Sequence, residues 1–312
     1  MGIGISPTVD FAFKMLLGNP AHPEVTIHFL NAVLSDQPRI VEVTILNPYL
    51  GKESADDKLA VLDIRARDEQ GRVFNIEMQT ALPQAMAERL TYYVSYLYVD
   101  QLFEGDDYGL LRPAICICVL SRAMFPELAE LHLDFRLRER RQDVTLTDKL
   151  QIHLLQLPKC QCTADNVREA AAIEQWAYFL RNAQQLTSNE IARQLPEQEF
   201  RIAAGVLEMI ARSEPERQLY EARLKFQRDE AARLAFAQTE GRQEGLREGL
   251  EQGLEQGLEQ GLVRGLEQGR ILAYQQLLGL PQSPSEALAA MSLDQLRELG
   301  SELQERVLQS RG

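Results

Sequence analysis

The sequence predicts an α/β domain with a mixed sheet flanked by helices, followed by an α-helical C-terminal region. Two patterns predict the sheet. Apolar and polar residues alternate over 61–67 and again over Val73–Gln79, as in half-buried strands, and Ala114–Leu120 is an apolar run typical of a buried strand. A repeat predicts the C-terminal region, because glycine recurs at every fourth position from Gly241 to Gly269 between segments of strong helix formers.

A turn joins the first two predicted strands. It begins at Asp68, and Gly71 can adopt the left-handed conformation that closes a three-residue hairpin loop. If Asp68 pairs with Arg72, the same register places Asp63 opposite Glu77, with their Cβ atoms roughly 5 Å apart. The hairpin therefore predicts two carboxylates that face each other on one side of the sheet.

Two carboxylates this close repel each other unless something compensates their charge. A divalent cation does so, and hard oxygen ligands of this kind suit Mg²⁺. Gln79 lies two residues beyond Glu77 and on the same face, where its amide can position a water or a phosphate oxygen. The alternative is a solvent-facing hairpin with ordinary surface charges, but apolar neighbours such as Ile64 and Ile76 argue against it. We therefore predict Asp63 and Glu77 as metal ligands and Asp63, Glu77 and Gln79 as catalytic residues.

The hairpin sequence D-I-R-A-R-D-E-Q-G-R-V-F-N-I-E-M-Q resembles the PD-(D/E)XK nuclease superfamily, in which an Asp precedes a Glu-x-Lys on the next strand. More narrowly, it is similar to the recombination-promoting nucleases, a transposase-like family in which Gln commonly replaces that Lys. Three more blocks resemble the same family and occur in the same order. They are S-P-T-V-D-F-A-F-K at 6–14, E-R-L-T-Y-Y at 88–93 and L-T-D-K-L-Q-I-H-L-L-Q-L-P-K at 146–159.

The resemblance implies a restriction-endonuclease-like core, DNA as the partner and Mg²⁺ or Mn²⁺ as the cofactor. The function expected from it is a metal-dependent DNA endonuclease linked to recombination or transposition. The candidate accessory residues are Asp10 as an outer carboxylate, Lys14 and Arg89 as phosphate contacts, and Tyr93 beside Arg89 on a helix with a tyrosine face. Because Gln79 removes a fixed positive charge, a second function stays open, namely a catalytically weak or inactive nuclease fold that acts as an oligomeric DNA- or protein-binding module.

The net charge of −13 argues against a protein that coats nucleic acid by electrostatic attraction. Residues 1–160 contain 16 Lys and Arg against 22 Asp and Glu, so no basic domain offsets the total. A DNA enzyme needs only a local basic strip, although both candidate strips can equally be solvated surface. The candidates are Arg65, Arg67 and Arg72 near the hairpin, and the group Arg136, Arg138, Arg140 and Arg141.

The other elements follow from periodicity and capping residues. A short helix is expected to open at Ser6–Thr8, because Ser and Thr cap well and Pro suits a first turn. Further helices are expected over 23–34, 88–102, 166–181, 188–194 with Ser188 as its cap, 197–211 and, in two pieces, 283–309. Further strands are expected over 41–46, 131–137 and 149–157.

The glycine repeat allows two interpretations, a flexible linker or a long helix with a glycine ridge beside a leucine ridge. Helix formers on both sides favour the helix, and small residues let two backbones approach closely. We therefore expect self-association as a dimer through the helix over 241–270; a scaffold with no nucleic-acid role would leave the paired acids unexplained. The expected domains are a nuclease-like domain over 1–160, a helical extension over 161–215, the long helix over 216–280 and a small helical tail over 281–312.

The cysteines, the histidines and the apolar segments indicate which metal sites and which cellular location to expect. Cys116 and Cys118 are expected in the core, although these residues and Cys160 with Cys162 form two C-x-C pairs whose spacing also suits a thiolate metal site. The four histidines show no ligand spacing. Without a signal segment or an apolar run of membrane length, the expected location is cytoplasmic, with no membrane association.

Overall fold

The computed structural model describes residues 2–46 and 64–310. These residues form two compact units, Met1–Ala231 and Ala232–Gly312, each described here by itself. The first contains a mixed sheet flanked by helices, as the sequence predicts. None of the helices in the described ranges combines the length and apolar character that a membrane span requires.

Six described strands form one sheet in the order β1-β2-β3-β4-β6-β5. Three neighbouring pairs are antiparallel, namely β1 with β2, β2 with β3, and β5 with β6, while β3 with β4 and β4 with β6 are parallel. The strands are β1 (Val43–Ile45), β2 (Ile64–Asp68), β3 (Val73–Gln79), β4 (Ala114–Leu120), β5 (His132–Arg138) and β6 (Thr145–Gln156). Each lies where the sequence pattern predicts a strand.

Two hydrophobic clusters cover the two faces of this sheet. On one face, Ile64, Ile76 and Ile117 pack in a large core with helices from both ends of the unit. On the other face, Val73 and Cys116 pack against a single helix, α3. The helices of this unit are α1 (Asp10–Leu17), α2 (Pro23–Val33), α3 (Met86–Val99), α4 (Ala172–Asn182), α5 (Ser188–Gln194) and α6 (Gln198–Arg212).

The hairpin between β2 and β3 has the predicted turn. Gly71 has a φ of +80°, and the backbone N–H of Asp68 donates to the carbonyl of Arg72 at 3.2 Å. The register continues to a pair between Ile64 and Ile76, as predicted. Asp63, the next residue toward the N-terminus, lies outside the described residues, so its predicted position opposite Glu77 stays a prediction.

Two predicted helix caps are wrong. α1 begins at Asp10 rather than at Ser6–Thr8, because the Ser6 hydroxyl is hydrogen bonded to the Thr8 hydroxyl at 2.8 Å instead of capping a helix. α5 is capped by Thr187 rather than Ser188, since the Thr187 side chain accepts the backbone N–H of Glu190. The N-cap of α1 is Val9, which provides no side-chain cap, whereas in α5 the neighbouring hydroxyl of Thr187 takes the role predicted for Ser188.

The glycine repeat is helical. It lies within α7 (Glu214–Leu277), and α8 (Ser285–Ala290) and α9 (Leu293–Gln309) follow it. In the second unit a small core joins these three helices, with Ile271, Leu288 and Leu296 buried in it. Residues 241–262 of the repeat are exposed, whereas Val263, Arg264, Glu267 and Gln268, nearer this core, are partly buried.

Candidate active site

The candidate site is built on Glu77, near the C-terminal end of β3. Side chains alternate between the two faces of a strand, so Glu77 lies on the α3 face of the sheet, as does Val73 four residues earlier. In β4, its parallel neighbour is Cys118. The Glu77 side chain is only 1% exposed, an uncommon environment for a carboxylate that must be compensated by nearby polar or charged groups.

Two polar side chains reach the same oxygen of Glu77. Gln79 Nε2 donates to Glu77 Oε2 at 3.0 Å. Arg89 of α3 places Nη2 3.7 Å from that oxygen as an ion pair. The positive charge of Arg89 offsets the cost of burying the carboxylate, while the amide of Gln79 fixes the orientation of its oxygen.

Tyr93 holds the Arg89 guanidinium from one helical turn further along α3. Arg89 Nε donates to the Tyr93 hydroxyl at 2.9 Å, and the guanidinium carbon lies 5.2 Å from the centre of the Tyr93 ring. The i, i+4 spacing makes this contact a property of the helix itself. Glu77, Gln79, Arg89 and Tyr93 therefore form one connected group, four of the seven residues that the sequence singled out.

Arg65 of β2 extends this group along the same face. Its guanidinium lies 5.8 Å from the centre of the Tyr96 ring, and Nη2 is 3.2 Å from Asp100 Oδ2. Both partners belong to α3 or its C-terminal cap. The helix thus takes part in two arginine–tyrosine contacts, one at each end of the eight residues from Arg89 to Tyr96.

A family model described as a PD-(D/E)XK nuclease family transposase matches residues 7–237. The match covers most of the chain, including the sheet, the hairpin and the Glu77 group. The chain belongs to this PD-(D/E)XK family. Membership supports a nuclease- or transposase-like function. No curated protein and no solved structure gives a significant match.

PD-(D/E)XK nucleases typically use divalent metal ions. In residues 2–46 and 64–310, no group of three or more His, Cys, Asp or Glu side chains is arranged to hold a metal. The described donor set is the Glu77 carboxylate with the Gln79 amide beside it, hard oxygen ligands of the kind that Mg²⁺ takes. This donor set fits such an ion if a second carboxylate joins it. The candidate is Asp63, which directly precedes Ile64, the cross-strand partner of Ile76.

The two accessory residues of α1 lie on a helix that packs against β3, the strand that carries Glu77. Asp10 accepts the N–H of Phe11 at 2.7 Å. Burial raises the pKa of its carboxyl, while that hydrogen bond and the charge of Arg223 oppose the rise. Lys14 is buried. The side chains of Lys14 and Ile64 both lie within 3.4 Å of the position that a Cβ added to Gly18 would occupy. The roles of Asp10 and Lys14 therefore stay predictions.

The candidate basic strips of this PD-(D/E)XK chain are largely neutralised. Arg72 is buried, with Nε 2.5 Å from Asp68 Oδ2, so it is a structural ion pair rather than a DNA contact. Arg136 lies within 3.2 Å of three carboxylates, and these hydrogen bonds hold its pKa above the ordinary value. Its partners are Asp36, Asp134 and Asp148.

A histidine pair was missed by the sequence reasoning. His132 Nε2 lies 2.9 Å from His153 Nδ1, and His153 Nε2 lies 3.2 Å from Gln151 Oε1. Burial lowers the pKa of His153 to about 4, and it lowers that of His132 as well. The residues are 21 positions apart in sequence, so only the pairing of β5 with β6 brings them together.

The cysteines behave as core residues. Cys116 and Cys118 are fully buried in β4, as predicted. Burial, helped by the neighbouring Cys160, raises the pKa of the Cys162 thiol to about 11. A thiol with such a pKa is a weak nucleophile at neutral pH. Within the described residues, neither cysteine pair belongs to a group of three or more His, Cys, Asp or Glu side chains that could hold a metal, which argues against the thiolate alternative.

Proposed function

We propose that this chain is a metal-dependent DNA endonuclease that hydrolyses phosphodiester bonds at Glu77, and that it acts in DNA recombination or transposition. The observation that carries the proposal is the buried Glu77 carboxylate, which lies on the hairpin of a PD-(D/E)XK fold with Gln79 and Arg89 on its oxygen. A buried carboxylate with dedicated polar partners is typical of a functional site rather than of a folding core.

Asp63 and Glu77 would hold the cofactor, Mg²⁺ or Mn²⁺. When bound, such an ion polarises a phosphoryl oxygen and lowers the pKa of a coordinated water. The hairpin register supports the pairing of the two acids, because the described ladder ends with Ile64 opposite Ile76, each directly adjacent in sequence to one of them. The local chemistry favours an ion with hard oxygen ligands.

Gln79 would orient the attacking water. Its Nε2 already donates to Glu77, which leaves the amide oxygen to accept a hydrogen bond from that water. Arg89 would contact the phosphate, since its partly exposed guanidinium lies between the Glu77 carboxylate and solvent. Tyr93 positions Arg89 through its hydroxyl.

A second copy of the chain is the proposed partner of the glycine repeat. Six leucines at four-residue spacing are 65–78% exposed on one continuous helix, and a Cβ added to any glycine of the repeat would meet nothing within 4 Å. A homodimer buries the same stripe twice, as in most symmetric oligomers. The leucines are Leu246, Leu250, Leu254, Leu258, Leu262 and Leu266.

The decisive experiment is cleavage of supercoiled plasmid by purified full-length protein with Mg²⁺, Mn²⁺ or EDTA. We expect nicking that needs the metal, that is lost in Glu77→Gln and that persists in Glu88→Gln, an exposed acid on α3 used as the matched control. Equal cleavage by Glu77→Gln and the wild type would contradict the proposal.

A second candidate function is an inactive nuclease fold that serves as an oligomeric DNA- or protein-binding module. The specific observation that favours it is Gln79, which stands at the position of the superfamily lysine and donates to Glu77 without carrying a charge. A folded wild-type protein that cuts nothing with either metal, yet binds DNA, would select this function.

A further inference from the structure

The outer face of α3 carries more aromatic surface than packing requires. The inner face of the helix already packs on the sheet through Leu90 and Val94. On the outer face, Tyr92 is 67% exposed and Tyr96, one helical turn further along, is 48% exposed. Tyr92 and Tyr93 lie 6.2 Å apart, measured between ring centres. Because buried contacts do not engage these rings, their faces are available to a ligand.

Guanidinium groups flank this face at both ends. Arg89 lies against the Tyr93 ring and reaches Glu77, while Arg65 lies against the Tyr96 ring. The eight residues from Arg89 to Tyr96 span about 10 Å of helix. The face, defined as Arg65, Arg89, Tyr92, Tyr93 and Tyr96, therefore begins at the candidate active site and continues away from it.

Rings combined with guanidinium groups match the chemistry of an unpaired nucleic-acid strand. Every base has a π-face that stacks on tyrosine, and arginine contacts the phosphates or stacks on the bases. A duplex hides those base faces and is held mainly through its phosphates, which a chain of net charge −13 attracts poorly. Asp100 and the exposed Glu88 lower the positive charge of this region further.

We infer that this aromatic face binds unpaired DNA bases and that the substrate class of the site is single-stranded DNA or duplex DNA with an unpaired stretch. The cleavage half of this inference rests on the proposed function, whereas the binding half does not. The face lies beside Glu77, so a strand stacked on Tyr92 and Tyr96 delivers its backbone toward Arg89 and Glu77.

The test is fluorescence anisotropy with a labelled single strand and the matching duplex, using full-length protein in EDTA so that nothing is cut. We expect the single strand to bind tighter than the duplex. Tyr92→Leu/Tyr96→Leu should weaken single-strand binding about tenfold or more, since each base stack contributes about 1–3 kcal/mol. Tyr92→Phe/Tyr96→Phe keeps the rings and should retain the affinity. Phe226→Leu, an exposed aromatic change on α7, is the matched control.

Two results would overturn the inference. One is unchanged single-strand binding by a folded Tyr92→Leu/Tyr96→Leu variant, and the other is duplex binding at least as tight as single-strand binding. A change in oligomeric mass in the leucine variant, without a change in DNA affinity, would instead assign the face to a protein contact. Ring-dependent binding without any cleavage would contradict the nuclease proposal alone, so the two failures are distinguishable.

Discussion

Glu77 and the leucines of the glycine repeat both lie in surroundings opposite to those that their side chains favour. Glu77 is a charged side chain at 1% exposure, whereas Leu246 and Leu250 are apolar side chains at more than 70% exposure. Glu77 has compensating contacts to Gln79 and Arg89 within its own chain. We propose that the first region serves chemistry inside one chain and that the second serves contact with a second copy.

The ion pair between Asp68 and Arg72 lies in the turn of the hairpin that carries Glu77, and its removal has the largest expected effect on stability. Arg72→Met would leave the buried Asp68 carboxylate without its charge partner, and we expect it to destabilise the fold by about 3–5 kcal/mol. Urea unfolding measures this. Arg67→Met is the control, because Arg67 is exposed on β2, the strand that ends at Asp68, and it should change stability little. A small effect at Arg72 would show that the hairpin does not depend on this pair.

The buried histidine pair predicts how the same unit responds to acid. In the folded chain burial lowers the pKa of His153 to about 4, whereas its ordinary value is 6.5. The unfolded chain therefore takes up the proton first, and stability falls as the pH drops from 6.5 toward about 4.

The loss is at most about 1.4 kcal/mol per pH unit for one such histidine. Urea unfolding at several pH values measures it, and His153→Gln should flatten the slope. The charged and titratable groups around His153 are His132, Asp134, Arg136 and Asp36. An unchanged slope in His153→Gln would assign the pH response to these neighbours.

The exposed leucines allow a direct test of the second region. Leu254→Lys/Leu258→Lys places charge on the proposed dimer seam, and we expect a dimer to become a monomer with the helix intact. Sedimentation or light scattering measures the mass. Gln256→Lys/Gln260→Lys adds the same charge to other exposed positions of the repeat and should leave the dimer intact. If both variants have the wild-type mass, the stripe is not the interface.

Substitutions in the glycine ridge have the smallest expected effect, a change in the strength of the proposed dimer. In an isolated helix, Gly253→Ala/Gly257→Ala is favourable by up to about 1 kcal/mol per site, and each added methyl meets nothing within 4 Å in the chain. We nevertheless expect a weaker dimer, because the methyls would separate two closely packed backbones. A tighter dimer, measured by sedimentation equilibrium, would exclude the ridge from the interface.

Much of the fold could be predicted because local periodicity determines it. The bounds of Ala114–Leu120 and Val73–Gln79 agree with the strands of the structure, and Gly71 has the expected positive φ. The sequence also singled out Glu77, Gln79 and Arg89, which one hairpin and one helix bring into contact, while their roles stay predictions. Residues a few positions apart on one element have their geometry fixed by that element.

Contacts between distant elements could not be predicted in the same way. The sequence grouped Arg72 with a candidate basic strip, because periodicity does not show that the distant Pro38 segment covers it, where Arg72 Nη2 donates to the Pro38 carbonyl at 3.0 Å. The histidine pair depends on the β5–β6 register, which places Asp134 opposite His153 and His132 two residues away on the same face. A pattern of period two assigns side chains to a face but does not fix which residues of two strands lie opposite each other.

The most direct test of the central claim is Mn²⁺ binding to the full-length protein, measured by calorimetry without DNA. We predict that the wild type binds the ion, that Glu77→Gln and Asp63→Asn each lose that binding, and that Glu88→Gln keeps it. This outcome would place both acids on one metal. Wild-type affinity in a folded Glu77→Gln variant would contradict the account, because the buried carboxylate would then have no part in holding the cofactor.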